Sequence, residues 1–412
     1  MKTWNVWKDE SGQTLVVTVL CMTVTLGLVA LPTDVGQMFH TKEQAQTAAD
    51  AAVIAAVQQQ DYGDPVAAAN EDAAKNGFPN GVNGNTVKVE DPPGTGSLAG
   101  QDGYIEVIVS RQTPTYFMRL FGVNDLTVAA KAVATLGPAT DCVYTLDSSG
   151  TDINVAGSAD VQSTCGFYGN SSSSSDLTVG GGGILDSTNE NLVGGYSLDN
   201  NGTLTVPPTT GIMPVPDPLG GIQPPQWSAS NCLADPKLTN SPPGTSIGPA
   251  AGGTVCYDGL TLNGGSVTLN PGIYVINGAM KLGGNVTVDG TVNGTVNGAS
   301  GVTFYITQNG SLNIESGAIV NLVAPDSGTY NGILFYQDPS NTTTASIEGG
   351  AGSTLDGILY FPAALLQLDG GTSTDTYISI VAGQVTLGGN LSLKNYGKLN
   401  PTSPLSSPRL ED

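Results

Sequence analysis

The chain has 412 residues, of which 39% are hydrophobic and only 12% are charged. This length corresponds to two or three domains, and its 56 glycines and 25 prolines disfavour a helical bundle, because both residues interrupt helices. The net charge of −22 argues against a nucleic-acid partner, since such binding depends on Lys and Arg. With His40 as the single histidine, a Ser-His-Asp triad or a multi-histidine metal site is not expected.

The first predicted element is a transmembrane helix. No charged residue occurs between residues 11 and 33, and most of this stretch is apolar. About 20 apolar residues cross a bilayer, so we expect residues 13–33 to span the membrane once. Lys2 and Lys8 precede the span and favour a cytoplasmic location for residues 1–12. A cleavable signal peptide is the alternative, although its apolar region is normally only about 7–15 residues long.

An alanine-rich helix is predicted directly after this span. Residues 41–60 contain no Gly or Pro and are rich in Ala, Gln and Glu, which favour helices. One narrow face is formed by small side chains, at Ala45, Ala48, Ala52 and Ala55. Such a helix is either a plain structural stalk or a surface that packs closely against another helix of the same assembly.

Several strings in this region resemble a known family. Residues 12–14 (GQT), 34–36 (DVG) and 44–52 (QAQTAADAA) are similar to the N-terminal region of TadG-like proteins of the bacterial Tad/Flp (tight adherence) pilus-assembly machinery. The resemblance covers roughly the first third of the chain and continues through strand-like segments, at residues 87–90, 104–110, 114–118, 121–123 and 126–134. Val17 stands where the peptidase site of a pseudopilin has Glu, so pilin-like processing is not expected.

The resemblance implies both a location and a set of partners. It implies a single-pass protein of the bacterial inner membrane, with a small extracytoplasmic α+β domain at residues 34–136. Its implied partners are other pilus-assembly or envelope proteins. Some TadG-like proteins carry a metal-binding Asp-x-Ser-x-Ser loop, which residues 147–151 (DSSGT) mimic. Strand-like residues follow this loop, so we interpret it as a surface turn and predict neither a metal site nor a cofactor.

A short repeat characterises residues 137–400. The pattern Leu-x-Leu-x-Gly-Gly-x-Val-x-Val occurs at residues 260–269, 280–288 and 385–393, with weaker copies elsewhere. Leu262 and Leu282 are 20 residues apart, a period typical of solenoids. Alternating apolar and polar residues predict strands with one buried face. The fold is therefore predicted to be mainly β, a parallel β-helix-like solenoid, with a two-sheet sandwich as the alternative.

Two segments are expected to differ from the repeats. Residues 207–250 contain eleven prolines and cannot form a central strand, because proline lacks a backbone donor. This Pro-rich excursion is either draped over the solenoid in an ordered form, with Trp227 anchoring it, or a flexible linker. The tail, residues 401–412, is predicted to be disordered.

The cysteines predict two disulfides. Of the five cysteines, Cys21 lies in the predicted membrane span, and the other four lie in the part expected outside the cytoplasm, where disulfides persist. Pairing neighbours in sequence gives Cys142–Cys165 and Cys232–Cys256, although three pairings and free thiols remain open.

The expected function is structural and not enzymatic. We predict a membrane-anchored assembly or adhesion protein of a Tad/Flp-type apparatus, with a surface glycan as a further partner. The alternative is a membrane-tethered β-helix enzyme that acts on polysaccharide, because neighbouring rungs could bring two carboxylates together. Candidate pairs are Glu348 with Asp369 and Asp356 with Asp375. The scarcity of Lys and Arg in this region disfavours a lyase.

Overall fold

A computed structural model of the chain describes residues 13–60, 64–212, 214–249, 252–291, 301–350, 352–370, 376–400 and 403–411. The predicted cytoplasmic residues 1–12 lie outside these ranges. The chain divides into two compact units, residues 1–137 with 408–412, and residues 138–407. The fold is mainly β, and most strands belong to one large, predominantly parallel sheet of the second unit.

The first unit combines two helices with an antiparallel sheet. Its elements in chain order are α1 (Gln13–Gln58), α2 (Pro65–Lys75), β1 (Asn85–Glu90), β2 (Tyr104–Pro114), a short 3₁₀ helix (Met118–Phe121) and β3 (Asp125–Pro138). The Asp64 carboxylate begins α2 by accepting hydrogen bonds from the Val66 and Ala67 amides, both at 3.0 Å. Strand β2 pairs with β1 on one side and with β3 on the other, both antiparallel.

The alanine face of α1 packs inside its own unit. Ala45, Ala48 and Ala52 are fully buried, together with Val53 and Ala56, in a core shared with the strands. Ala55 is only half-buried, so the buried stripe turns towards Ala56. Small side chains here allow α1 to lie close both to α2 and to the sheet of its own chain, with Ala69 and Ala73 of α2 in the same core.

Apolar side chains at the beginning of α1 are exposed where the structure describes them. The large apolar side chains described between residues 15 and 22 are 53–72% exposed, at Leu15, Val16, Val17, Val19, Leu20 and Met22. Within the described ranges, the structure contains no helix with both the length and the apolar character needed to cross a membrane.

The second unit consists mainly of strands, with a 3₁₀ turn at Ala229–Asn231 and one short α-helix near its end. Its first strands are β4 (Asp141–Thr145), β5 (Ile153–Val155), β6 (Asp160–Ser163), β7 (Gly166–Gly169), β8 (Leu177–Val179), β9 (Ile184–Asp186), β10 (Glu190–Leu192), β11 (Tyr196–Leu198), β12 (Thr203–Leu204) and β13 (Thr209–Thr210). The remaining elements are β14 (Leu238–Ile247), β15 (Thr254–Tyr257), β16 (Leu260–Leu269), β17 (Gly272–Ile276), β18 (Ala279–Gly290), β19 (Val302–Ile306), β20 (Ser311–Ile314), β21 (Ile319–Val323), β22 (Ile333–Gln337), β23 (Ala345–Ile347), β24 (Thr354–Asp369), β25 (Ile378–Gly388), β26 (Asn390–Leu393) and α3 (Tyr396–Leu399).

The repeat copies stack on one another in register. Their strands pair in parallel, so that equivalent apolar residues form one buried column, which runs through Leu260, Met280, Leu312, Ala345, Leu366, Val385, Ile153 and Leu177. Alternate residues point outwards because side chains alternate across a strand. The 20-residue spacing of Leu262 and Leu282 therefore corresponds to one step between adjacent layers of the stack.

The order of the layers differs from the order of the chain. Strands β14 to β25 stack in sequence order, and β25 then pairs in parallel with β4 and β5. The first strands of the unit thus follow the last ones, and β7, β8 and β10 continue the stack beyond them. The chain must consequently return from the far end of the stack at β13 to its beginning at β14.

The Pro-rich segment makes this return as an ordered strap (residues 214–232). Its polar contacts follow the stack from one end to the other. Val215 exchanges two hydrogen bonds with Asn170, of 2.7 and 2.9 Å. Asp217 then accepts one from Tyr360 at 2.7 Å, and the Ile222 carbonyl accepts one from Tyr336 at 2.7 Å.

Apolar burial also holds the strap. Leu219 is fully buried and Ile222 is 7% exposed, whereas the predicted anchor Trp227 is 36% exposed. Pro242 and Pro243 lie in β14, at the point where its register with β16 shifts, and β16 is the strand that pairs with β14 in the described ranges. Proline is tolerated there because an edge strand at a bulge does not require every backbone donor.

The prediction of a disordered tail was wrong for residues 406–411. Strand β27 (Ser406–Glu411) is the fourth strand of the sheet in the first unit, next to β3. Its polar sequence gives no strand signal, so the free edge of β3 supplies the backbone partners that order it.

Candidate functional site

Two disulfides occur in the second unit. Cys142 pairs with Cys165, with their Cα atoms 5.6 Å apart, and Cys232 pairs with Cys256, with their Cα atoms 4.4 Å apart. The second bridge joins the end of the strap to β15. The Leu233 amide adds a 2.8 Å hydrogen bond to the Cys256 carbonyl, so this end of the strap is held both covalently and by the backbone. Cys21 is free and exposed.

A well-defined polar contact of the first unit belongs to Asp34. Its carboxylate lies on α1 and accepts hydrogen bonds from three consecutive backbone amides of the β2–β3 loop (residues 115–124). The distances are 2.8 Å from Tyr116, 3.0 Å from Phe117 and 2.8 Å from Met118. These amides lie at the start of the 3₁₀ helix, where backbone donors lack partners within the helix. One carboxylate therefore fastens the whole loop to α1.

The electrostatics of this contact favour the charged form of Asp34. Burial by itself raises the pKa of the carboxyl group, but the three amide hydrogen bonds and the charge of Arg119 outweigh it. The pKa of Asp34 therefore lies below its ordinary value of 3.8. The contact remains in place at any neutral or mildly acidic pH.

A polar groove on the stack brings together one predicted carboxylate pair. Glu348 follows β23 and Asp369 ends β24, and the pairing of Ile347 with Leu368 places the two carboxylates on adjacent strands. Both residues are exposed, and they line a groove of about 430 Å³ with Ser346, Gln367 and Thr386. No Lys, Arg or His is among the described residues that line it.

The second predicted carboxylate pair is only partly described by the structure. Asp356 accepts a 2.8 Å hydrogen bond from the Tyr377 amide, and its predicted partner Asp375 lies outside the described residues.

Residues 147–151, which mimic the metal-binding loop, form an irregular surface segment, in which the Ser148 carbonyl accepts two hydrogen bonds from Ser172. Across the part of the chain that the structure describes, no three His, Cys, Asp or Glu side chains cluster as metal ligands.

Sequence analysis missed several buried carboxylates, among them Asp152 and Asp176. Asp152 and Asp176 are both fully buried, directly before the paired strands β5 and β8. The Asp152 amide donates a 2.9 Å hydrogen bond to the Asp176 carbonyl in the adjacent layer. Burial, together with the charge of Asp176, raises the pKa of Asp152 to about 8. Burial raises the pKa of Asp176 to about 7. The sequence signal was the 24-residue spacing of two Asp residues, each directly before a predicted strand.

Comparison with known proteins links only the N-terminal region to a family. The family model for putative Flp pilus-assembly TadE/G-like proteins matches residues 12–59. The match covers the whole of α1, including Asp34 and the buried alanine face. No curated protein and no solved structure matches the chain.

Proposed function

We propose that this chain is a membrane-anchored structural protein of a Tad/Flp-type pilus or surface-adhesion apparatus, with its bulk outside the cytoplasm. The observation that carries the proposal is the TadE/G-like match over residues 12–59. It supports a pilus-related role and contacts with other pilus-assembly proteins.

The membrane anchor is the N-terminal part of α1, residues 13–33. This segment has no charged residue, and its described apolar side chains at residues 15–22 are exposed. Exposed apolar side chains on every side of a helix are favourable in lipid and costly in water. Lys2 and Lys8 support a cytoplasmic N-terminus, and the two disulfides are compatible with an oxidising compartment for the second unit.

The second unit acts as a parallel β-solenoid. Layers that stack in register form a rod whose length grows with each repeat, and every layer contacts only its neighbours. The strap and its disulfide join the two ends of the stack, which favours a stiff body over a flexible one. Such a unit suits display or assembly outside the cell membrane, and no catalytic role is assigned to it.

Cell fractionation tests the anchor and its orientation. The full-length protein should remain with the inner membrane after extraction at alkaline pH, and protease added to spheroplasts should degrade everything beyond the anchor. Release at alkaline pH would refute the anchor, and complete protection would refute the orientation. Deletion of the gene should reduce assembly of the pilus or adhesion in a host that makes a Tad/Flp apparatus, and unchanged assembly would refute the pilus-related role.

A second candidate is action on polysaccharide, which the Glu348–Asp369 groove favours. Neighbouring strands lie about 4.8 Å apart, so the two carboxylates can approach the spacing of about 5–9.5 Å that glycoside hydrolysis requires. Release of reducing or unsaturated sugars from a glycan panel, lost in Glu348→Gln, would support this candidate. Glycan binding without product release would instead leave the groove as a binding surface of the structural protein.

A further inference from the structure

We propose that the β2–β3 loop of the first unit inserts its apolar tip into the membrane–water interface. This inference rests on the proposed membrane anchor. The proposed ligand of the loop is the lipid of the extracytoplasmic leaflet. The tip consists of Tyr116, Leu120 and Phe121.

The tip is unusually apolar for an exposed loop. Leu120 is 79% exposed, Phe121 is 87% exposed and Tyr116 is 57% exposed. Single exposed apolar residues are common, but several large ones on one short loop indicate a contact surface. Arg119 lies between them and is also exposed. A cation beside aromatic side chains is typical of residues at the lipid headgroups.

The loop is held in a defined shape. Its two ends are joined by a 3.0 Å hydrogen bond from the Thr115 amide to the Asn124 carbonyl, and the Thr115 hydroxyl donates to the Val123 carbonyl. Gly122 closes the 3₁₀ helix with a φ of 84°, which a residue with a side chain rarely adopts. The exposed tip is therefore built into the fold, with its apolar residues presented in a fixed arrangement.

Contacts along α1 show which way the loop extends. The Gln46 side chain donates a 3.0 Å hydrogen bond to the Lys131 carbonyl, and Lys42 donates one of 3.2 Å to the Ala129 carbonyl. Asp34, nearer to the N-terminus, binds the loop itself. The β2–β3 hairpin thus runs along α1 towards the proposed anchor, and the loop is its leading end.

The position of Asp34 selects lipid as the partner. A helix rises about 1.5 Å per residue, so residues 13–33 cover roughly 30 Å, the thickness of the hydrocarbon core. Asp34 is the next residue and would lie where the helix leaves the bilayer. Val35 and Phe39 continue the apolar surface on α1, with 42% and 67% exposure. The loop tip and these two side chains would then lie near the level of the headgroups.

The experiment measures the depth of the loop in a bilayer. Phe121→Trp and Leu120→Trp are made in the full-length chain after its own tryptophans are replaced by Phe, at Trp4, Trp7 and Trp227. Each protein is reconstituted into vesicles of phosphatidylcholine and phosphatidylglycerol, with or without bromine on the acyl chains. Gln101→Trp is the matched control, because Gln101 is exposed and lies three residues before the opposite end of β2. Circular dichroism checks that all variants keep the same fold.

Three outcomes are distinguishable. Loss of emission in brominated vesicles for Phe121→Trp and Leu120→Trp, with emission retained for Gln101→Trp, is the expected result. Protein that floats with the vesicles but shows no quenching at either loop position would overturn the inference and leave the anchor intact. The tip would then be available to a protein partner. Protein that does not float with the vesicles would overturn the anchor and, with it, the inference.

Discussion

Replacing Phe335 by Ala should destabilise the second unit strongly, because this ring is the centre of an aromatic column. Phe335 is fully buried, and its ring centroid lies 5.2 Å from that of Phe304 and 6.4 Å from that of Phe361. Truncation of a buried Phe to Ala in a core that cannot collapse lowers the free energy of unfolding by about 3–5 kcal/mol. A loss of about 4 kcal/mol would lower the midpoint of thermal unfolding by roughly 10 °C for a unit of this size.

The assay is denaturant unfolding of the full-length protein in detergent, followed by circular dichroism and compared at constant pH. Phe335→Leu is the first control, since it keeps most of the volume and should lose only about 1.5 kcal/mol. Leu399→Ala is the second, because Leu399 is 49% exposed and should change the free energy by less than about 0.5 kcal/mol. A loss below about 1 kcal/mol for Phe335→Ala, or equal losses in all three variants, would refute the packing argument.

Three further predictions concern the disulfides, the pH dependence and the loop contact. Cys232→Ser should lower the free energy of unfolding by about 3 kcal/mol, because the bridge to Cys256 closes a loop with a sequence separation of 24. Cys21 is the one free cysteine when both bridges are intact, so alkylation of Cys232 and Cys256 in the non-reduced native protein would contradict this prediction. Stability should decrease from about pH 4 to pH 8, since folded Asp152 and Asp176 retain protons that the unfolded chain, with pKa values near 3.8, has already released. Asp152→Asn should flatten this dependence in a pH series of unfolding curves, and an unchanged slope would exclude Asp152 as its source. Asp34→Asn should accelerate hydrogen exchange at the three bonded amides of the β2–β3 loop, while β1 keeps its exchange rates. Equal exchange rates in both proteins would contradict a stabilising role of the Asp34 contact.

The sequence by itself determined the strand repeats of the second unit and which of their residues are buried. Alternation of Leu, Thr, Val and Asn places every second residue in the core, and this local property is independent of which layers are neighbours. The copies at residues 260–269, 280–288 and 385–393 therefore occupy equivalent positions in the stack. The QTAADAA string likewise indicated the helix that the TadE/G-like match covers.

Only the tertiary structure decided the order of the layers. Each layer presents similar apolar and backbone groups above and below, so a local pattern cannot specify that β25 is followed by β4. That order required a return segment, which explains why the Pro-rich strap is ordered by Tyr336 and Tyr360. The tertiary structure also decided the role of Asp34. Three amides more than 80 residues away in sequence reach its carboxylate only after α1 has packed on the sheet. Contacts between distant residues depend on the packing of whole elements, which no short stretch of sequence encodes.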